Sequence, residues 1–336
     1  MAEKKKEVNM TRKKISRIMG LIIAVFLLAL VLPLGSGEAK AATKGSKGDW
    51  EFEYEGKRLT ITGYNGNDTD ITVPSKIDGK NVVAIGRSVF AKNTDITSVT
   101  ISKGVELIDF AAFQGCSNIT SITLPSTLRT IGNYAFDGCE KLEEIKIPDN
   151  VRKIGDYAFV NCKTLKEATI PKKAKDLGSG IFQYCVNLER VEILARTKWL
   201  PGRTFWDCEK LQYVSMPSTL RFIRGSAFGC CYMLQSVHFP DEVREVGGCF
   251  WENNMLETVV FGRKTVKLGY EIFGGCKYVQ TLVIPESVTE INDGIFSRYY
   301  GDKLSITVVT TEGSYAEQWA KSLGMPVQYN IDDYYD

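Results

Sequence analysis

Nine cysteines and one histidine are the residues of this 336-residue chain whose types could carry chemistry. A cysteine nucleophile needs a neighbouring base. The only histidine, His238, falls at an outward strand position with no cysteine placed to face it. No Cys-x-x-Cys pair offers the spacing of a zinc site, and neither a Gly-x-Ser-x-Gly elbow nor a phosphate-cradling glycine loop occurs. Asp68 and Asp70 are too sparse a set for calcium and read as a solvated turn. Carboxylates are otherwise plentiful. Glu143, Glu144, Glu167, Glu189 and Glu192 fall near one another on one exposed face, and a glycosidase needs only two such groups. Lys146, Lys166 and Arg190 are interspersed among them, which reads as a solvated, charge-paired face. The sequence assigns no catalytic residue, no cofactor and no metal site.

The spacing of the cysteines says more than their chemistry. Cys116, Cys139, Cys162, Cys185, Cys208, Cys231 and Cys276 each stand three residues after a phenylalanine. Those phenylalanines belong to a longer series: Phe90, Phe113, Phe136, Phe159, Phe182, Phe205, Phe228, Phe250, Phe273 and Phe296. Every interval is 23 residues except Phe228 to Phe250, which is 22. A fixed period in this range is the signature of a solenoid. In the unit that starts at Phe136, Ile145 and Ile147 alternate with Lys146, which is strand periodicity, and Pro148 closes the strand. Val151 and Ile154 form a second apolar rung before Gly155-Asp156 turns the chain back to Ala158-Phe159. Phe136, Cys139, Leu142, Ile145, Ile147, Val151, Ile154 and Ala158 are expected to point inward, and stacked coils bury that face continuously.

The segment L-x-x-I-x-I-P with a Cys three residues before the Leu resembles the strand of a leucine-rich repeat. The period, the Cys, the Pro and the closing I-G-x-x-A-F resemble the BspA-like leucine-rich repeats of bacterial surface proteins, over about Trp50 to Tyr329. The resemblance implies a leucine-rich repeat solenoid: a single right-handed coil with one parallel β-sheet, short turns or 3-10 segments on the other face, a β-hairpin N-cap and a short helical C-cap. It implies binding and adhesion, and it transfers no catalytic residue. Leucine-rich repeats place a buried Asn or Cys where the seven cysteines stand, so these are expected to be reduced, small apolar rungs; parallel side chains do not easily reach disulfide torsion. Cys249 is expected to be buried. Cys230, out of register, is the expected reactive thiol.

The formal charge of +2 is carried by the start of the chain. Residues 1–41 hold eight Lys/Arg and three Asp/Glu; the remainder has 34 basic and 37 acidic residues, which gives no case for nucleic acid. Basic residues up to Arg17, an apolar run from Ile18 to Leu32 and Ala39-Lys40-Ala41 read as a signal peptide, 1–41. Fifteen apolar residues are short for a span that needs about 20, so cleavage after Ala41 is favoured over a retained membrane anchor. The order expected after it is a linker and N-terminal β cap (42–74), repeats (75–300), a C-terminal cap (301–330) and a frayed tail (331–336). Ser314 and Glu317 form a capping box that opens a helix ending at Gly324, with Tyr315, Trp319 and Leu323 on one face.

Two exposed patterns stand out. Arg129, Arg152, Lys175, Lys198, Arg221 and Arg244 share one position in six successive coils, which suits an acidic polymer; the plainer reading is an exposed corner balanced by acids such as Asp176 and Glu245. The second pattern is aromatic: Trp199 and Phe222 replace a polar position, with Trp206, Trp251 and Tyr184 nearby in the chain. The coil around Ile193–Thr197 breaks the repeat, and such departures are where function is expected. A partner patch is therefore placed at Tyr184, Trp199, Trp206, Arg221, Phe222 and Trp251; the alternative is that these rings plug gaps left by the irregular coil. The expectation is a secreted or cell-surface binding protein for a protein or glycan. A polysaccharide-directed hydrolase or inhibitor, or a structural envelope protein, is the alternative.

Overall fold

Short apolar-polar alternations followed by Pro or Gly form strands that pair only with the equivalent residues one coil away. The computed structural model describes residues 42–299 and 301–335, so the signal peptide expected at 1–41 lies outside the described residues. Strands Asp70–Val73, Ser98–Ile101 and Ser121–Thr123 pair in parallel, as do Glu167–Ile170, Arg190–Ile193 and Tyr213–Ser215. Strands Ser236–His238, Thr258–Val260, Thr281–Val283, Thr307–Val309 and Val327–Gln328 continue this main face. The second rung also pairs. Two-residue strands such as Thr130–Ile131, Lys153–Ile154 and Asp176–Leu177 form a narrower ladder.

Between the two ladders the turn around each phenylalanine makes a third set of bonds. Residues two before and two after the ring take positive φ, as at Tyr134 (57°), Gly138 (72°), Tyr157 (55°) and Asn161 (60°). This flips alternate N–H groups toward the next coil: Phe113 N donates to Ala135 O and Phe136 N to Ala158 O, both at 2.8 Å. A left-handed conformation disfavours branched side chains, and the positions hold Gly, Asn, Ser, Tyr and similar residues.

The ten phenylalanines form one internal column. Successive rings stack at centroid separations of 4.9 to 6.2 Å, and none is more than 4% exposed. All eight positions expected to point inward in the Phe136 unit are buried. Burying each ring is worth about 2 kcal/mol, so this column is the largest single apolar contribution per coil.

Four features depart from the sequence reading. Thr43–Lys47, expected as linker, is a strand antiparallel to Trp50–Glu55, which in turn pairs with Arg58–Tyr64. Ile145 and Ile147 are buried but join no ladder, so the main face is interrupted between Ser121–Thr123 and Glu167–Ile170. The cap helix α1 (Tyr315–Ser322) starts at Ser314, whose Oγ accepts from Glu317 N at 3.1 Å, and buries Ala316 and Ala320. Tyr315 and Leu323 are exposed instead, while Trp319 stacks on Phe296 at 6.0 Å. The tail, expected to fray, makes a 3-10 turn at Ile331–Tyr334 and packs on Val260, Val283 and Val309. Among the described residues no helix is long and apolar enough to cross a membrane.

Candidate functional site

The cysteine ladder is structural. Each of the seven thiols donates to the carbonyl of the phenylalanine one coil back: Cys116 to Phe90, Cys139 to Phe113 and so on to Cys276 and Phe250, at 2.9 to 3.4 Å. In the coil of Phe250 the ladder place belongs to buried Asn253, whose Oδ1 accepts from Cys231 N at 2.8 Å. All nine cysteines are unpaired and buried. Burial pushes Cys116 and Cys276 up to about 12, so neither is a thiolate near neutral pH. Cys230 was expected to be reactive. It is 6% exposed, and burial pushes it up to about 11, so it lacks the thiolate character that reactivity requires.

The acidic group does not behave as a charge-paired face. Glu143 and Glu144 line a shallow recess with Thr120, Ser121, Thr164 and Lys166. None of the five carboxylates has an ion-pair partner among the described residues, and Arg190 lies over the Tyr213 ring at 4.3 Å. His238 is exposed on the main face.

The basic row runs along the backbone in two stretches: Arg152 N donates to Arg129 O and Lys175 N to Arg152 O, then Arg221 N to Lys198 O and Arg244 N to Arg221 O, with the ladder broken between Lys175 and Lys198. Arg129 approaches Glu106 at 4.0 Å and Arg221 pairs with Glu242 at 2.9 Å. Among the described residues Arg152, Lys175, Lys198 and Arg244 have no ion pair. Asp176, expected to balance the row, pairs with Lys153 at 3.4 Å instead.

The structure brings together only part of the aromatic set. Trp199 and Phe222 are register partners in adjacent two-residue strands, and their rings stack at 4.1 Å and 18°. Trp199 is 43% exposed. Arg224 places its guanidinium 4.2 Å from the Trp199 ring and 5.6 Å from Phe222. Sequence reasoning missed Arg224; its place two residues after Phe222, on the same side of the strand, was the available signal. Arg221 reaches across to Glu242 of the next coil. Tyr184 is exposed at a positive-φ turn position, and Trp206 and Trp251 lie one residue after their phenylalanines. These two indoles lie over Gly229 and Gly274 of the following coils, where a Cβ would collide with their rings. They fill space over glycine, apart from the Trp199–Phe222 pair.

The sequence matches the family described as BspA type leucine rich repeat region, in 6 copies over residues 83–212 and 198–316. No curated protein sequence matches significantly. Among solved structures, a leucine-rich repeat protein from T. pallidum is 29% identical, with a TM-score of 0.52 over 60% of this chain and 91% of that one. A leucine-rich repeat protein from Bacteroides ovatus is 21% identical and shares the fold, with a TM-score of 0.57 over 83% of this chain and 79% of that one. With its coil period, its phenylalanine column and its cysteine ladder all accounted for, the chain belongs to the BspA-type leucine-rich repeat family.

Proposed function

We propose that the chain is exported after cleavage at Ala41 and works at the cell surface as an adhesin-like binding protein, by reversible recognition without a cofactor. The observation that carries this is the Trp199–Phe222 stack with Arg224 beside it, an exposed aromatic platform in the coil that departs from the repeat. Trp and Arg are the usual anchors of interfaces, and a ring already held by a neighbour loses little entropy on binding. The partner is a protein or a surface glycan; both use flat aromatic faces.

Retention of the chain 42–336 on extracellular-matrix proteins, mucosal glycans and bacterial envelope fractions tests the reading. The double variant Trp199→Ala, Phe222→Ala is expected to lose at least tenfold in affinity for whatever the parent retains, with unchanged melting. Equal retention would refute the platform. The scarcity of counter-ions along Arg129, Arg152, Lys175, Lys198, Arg221 and Arg244 favours an acidic polysaccharide as one class of partner. In that case retention falls steeply with salt.

A further inference from the structure

The outward-facing residues of the main ladder change character along the solenoid. Ser215 and His238 are followed in register by Val260, Val283 and Val309. Three valines on the solvent side of adjacent strands would form an apolar stripe. They are fully buried because Ile331, Tyr334 and Tyr335 lie on them. Tyr335 Oη donates to Phe261 O at 2.6 Å, and the Arg263 guanidinium sits 4.7 Å from its ring. The chain arrives from the Val309 end, where Val327–Gln328 pairs with Val308 and Val309, and reaches Tyr335 beside Val260.

Beyond Tyr335 the groove continues. Strands Tyr213–Ser215 and Ser236–His238 belong to adjacent coils but do not pair, so two strand edges face each other with unpaired backbone groups. Between them lies a cleft of about 580 Å³. Leu234 and Phe228 of the core form its floor, Met216, Ser215 and His238 its sides, and Val260 with Tyr335 its end.

We propose that this groove is a peptide-binding site, occupied in cis by the segment Ile331–Tyr335, and that its occupant in trans is a partner peptide that lies on the stripe as this segment does. That peptide carries two consecutive aromatic residues followed by a short extended stretch, whose aliphatic residue enters the cleft over Leu234. The segment itself shows the chemistry that the stripe accepts. The open edges accept a strand by backbone pairing, the way extended peptides add to sheets. A second copy of the same segment is a poorer occupant. It makes the same contacts as the tethered one, which competes at an effective concentration on the order of millimolar. A peptide that also fills the cleft gains apolar contact that the tethered segment lacks. This site lies on the main ladder, whereas the Trp199–Phe222 platform lies on the narrow one, so the two readings stand or fall separately.

The test empties the groove in the full chain with Ile331→Ser, Tyr334→Ser and Tyr335→Ser. The probes are labelled synthetic peptides: Asn-Ile-Asp-Asp-Tyr-Tyr, and the same peptide followed by Gly-Leu. The triple variant is expected to bind the longer probe saturably, at least tenfold tighter than the parent does and tighter than it binds the shorter probe. Adding Val283→Lys to the triple variant abolishes binding. Should the triple variant fail to fold, Tyr335→Phe, which removes only the bond to Phe261 O, is expected to raise the parent's affinity severalfold. No saturable binding by a folded variant, or equal binding by variant and parent, overturns the proposal. Concentration-dependent dimers of the parent that the variant does not form would assign the groove to a second copy instead.

Discussion

Phe159 has a ring stacked on either side, at 5.2 Å from Phe136 and 5.6 Å from Phe182, and is fully buried. Phe296 ends the column, with Phe273 on one side and Trp319 of the cap on the other. Truncating a ring held between two rigid coils leaves a cavity that cannot collapse, whereas a cap helix can settle inward. Phe159→Ala is therefore expected to cost about 3–5 kcal/mol and Phe296→Ala about half of that, read from denaturant midpoints at constant m-value. Equal losses would mean that the column does not act as a nearest-neighbour stack. The cysteines follow the same logic. Their position three residues after each ring places a thiol under the previous coil's carbonyl, where a small apolar side chain with one weak donor fits. Their repetition was legible in the sequence. That each makes a bond was not, because the acceptor lies 26 residues back and becomes a neighbour only once the coils stack.

Helix α1 depends on one carboxylate. The Lys321 ammonium foremost, then the Tyr329 hydroxyl and the Gly313 N–H, hold Glu317 down to about 2. Its unfolded value is about 4.3. A carboxyl with a depressed folded value adds stability that is fully present above the unfolded value and lost as pH falls toward the folded one. The difference in unfolding free energy between the parent and Glu317→Gln should thus be constant above about pH 5 and shrink toward zero near pH 2. A difference that does not change with pH would place the anchor elsewhere. The capping box that sets up this carboxylate was readable from Ser314 and Glu317, as were the main strands, where alternation persists over three or four residues. The narrow ladder was not, since two-residue strands carry no periodicity. The docked segment at Ile331–Tyr334 was missed for a related reason. Its Asp-rich composition reads as a free end, and the valine stripe that holds it exists only in the register of three separate coils. Likewise the sequence picked out Trp199 and Phe222, which are 23 residues apart, but grouped them with Trp206 and Trp251, which pack over glycines of other coils.

Because each coil bonds only to the coils on either side, the molecule should tolerate the loss of a whole coil better than the loss of one residue. Removing residues 137–159 joins Phe136 to Val160, so the next ladder residue, Cys162, keeps its place three positions after a phenylalanine. Every column then resumes in register. The expected product keeps the far-ultraviolet spectrum of the parent and melts cooperatively. Its denaturant m-value is lower by roughly one coil's share of the buried surface, since m tracks the surface exposed on unfolding. Deleting Lys146 alone is expected to do more harm, because a one-residue slip turns Ile147 outward and breaks the alternation of that coil. The chain itself contains the comparison. The 22-residue interval between Phe228 and Phe250 is one residue short, and the shortening falls where Gly247 and Gly248 stand, in the turn rather than in a strand. There the backbones run so close that a Cβ on Gly248 would collide with Tyr270 O, so the shorter turn depends on glycine. A single deletion at Asp156, where no such glycine pair stands, should fall between the two outcomes. If deletion of 137–159 unfolds the chain while deletion of Lys146 does not, the coil is not the unit of stability in this protein.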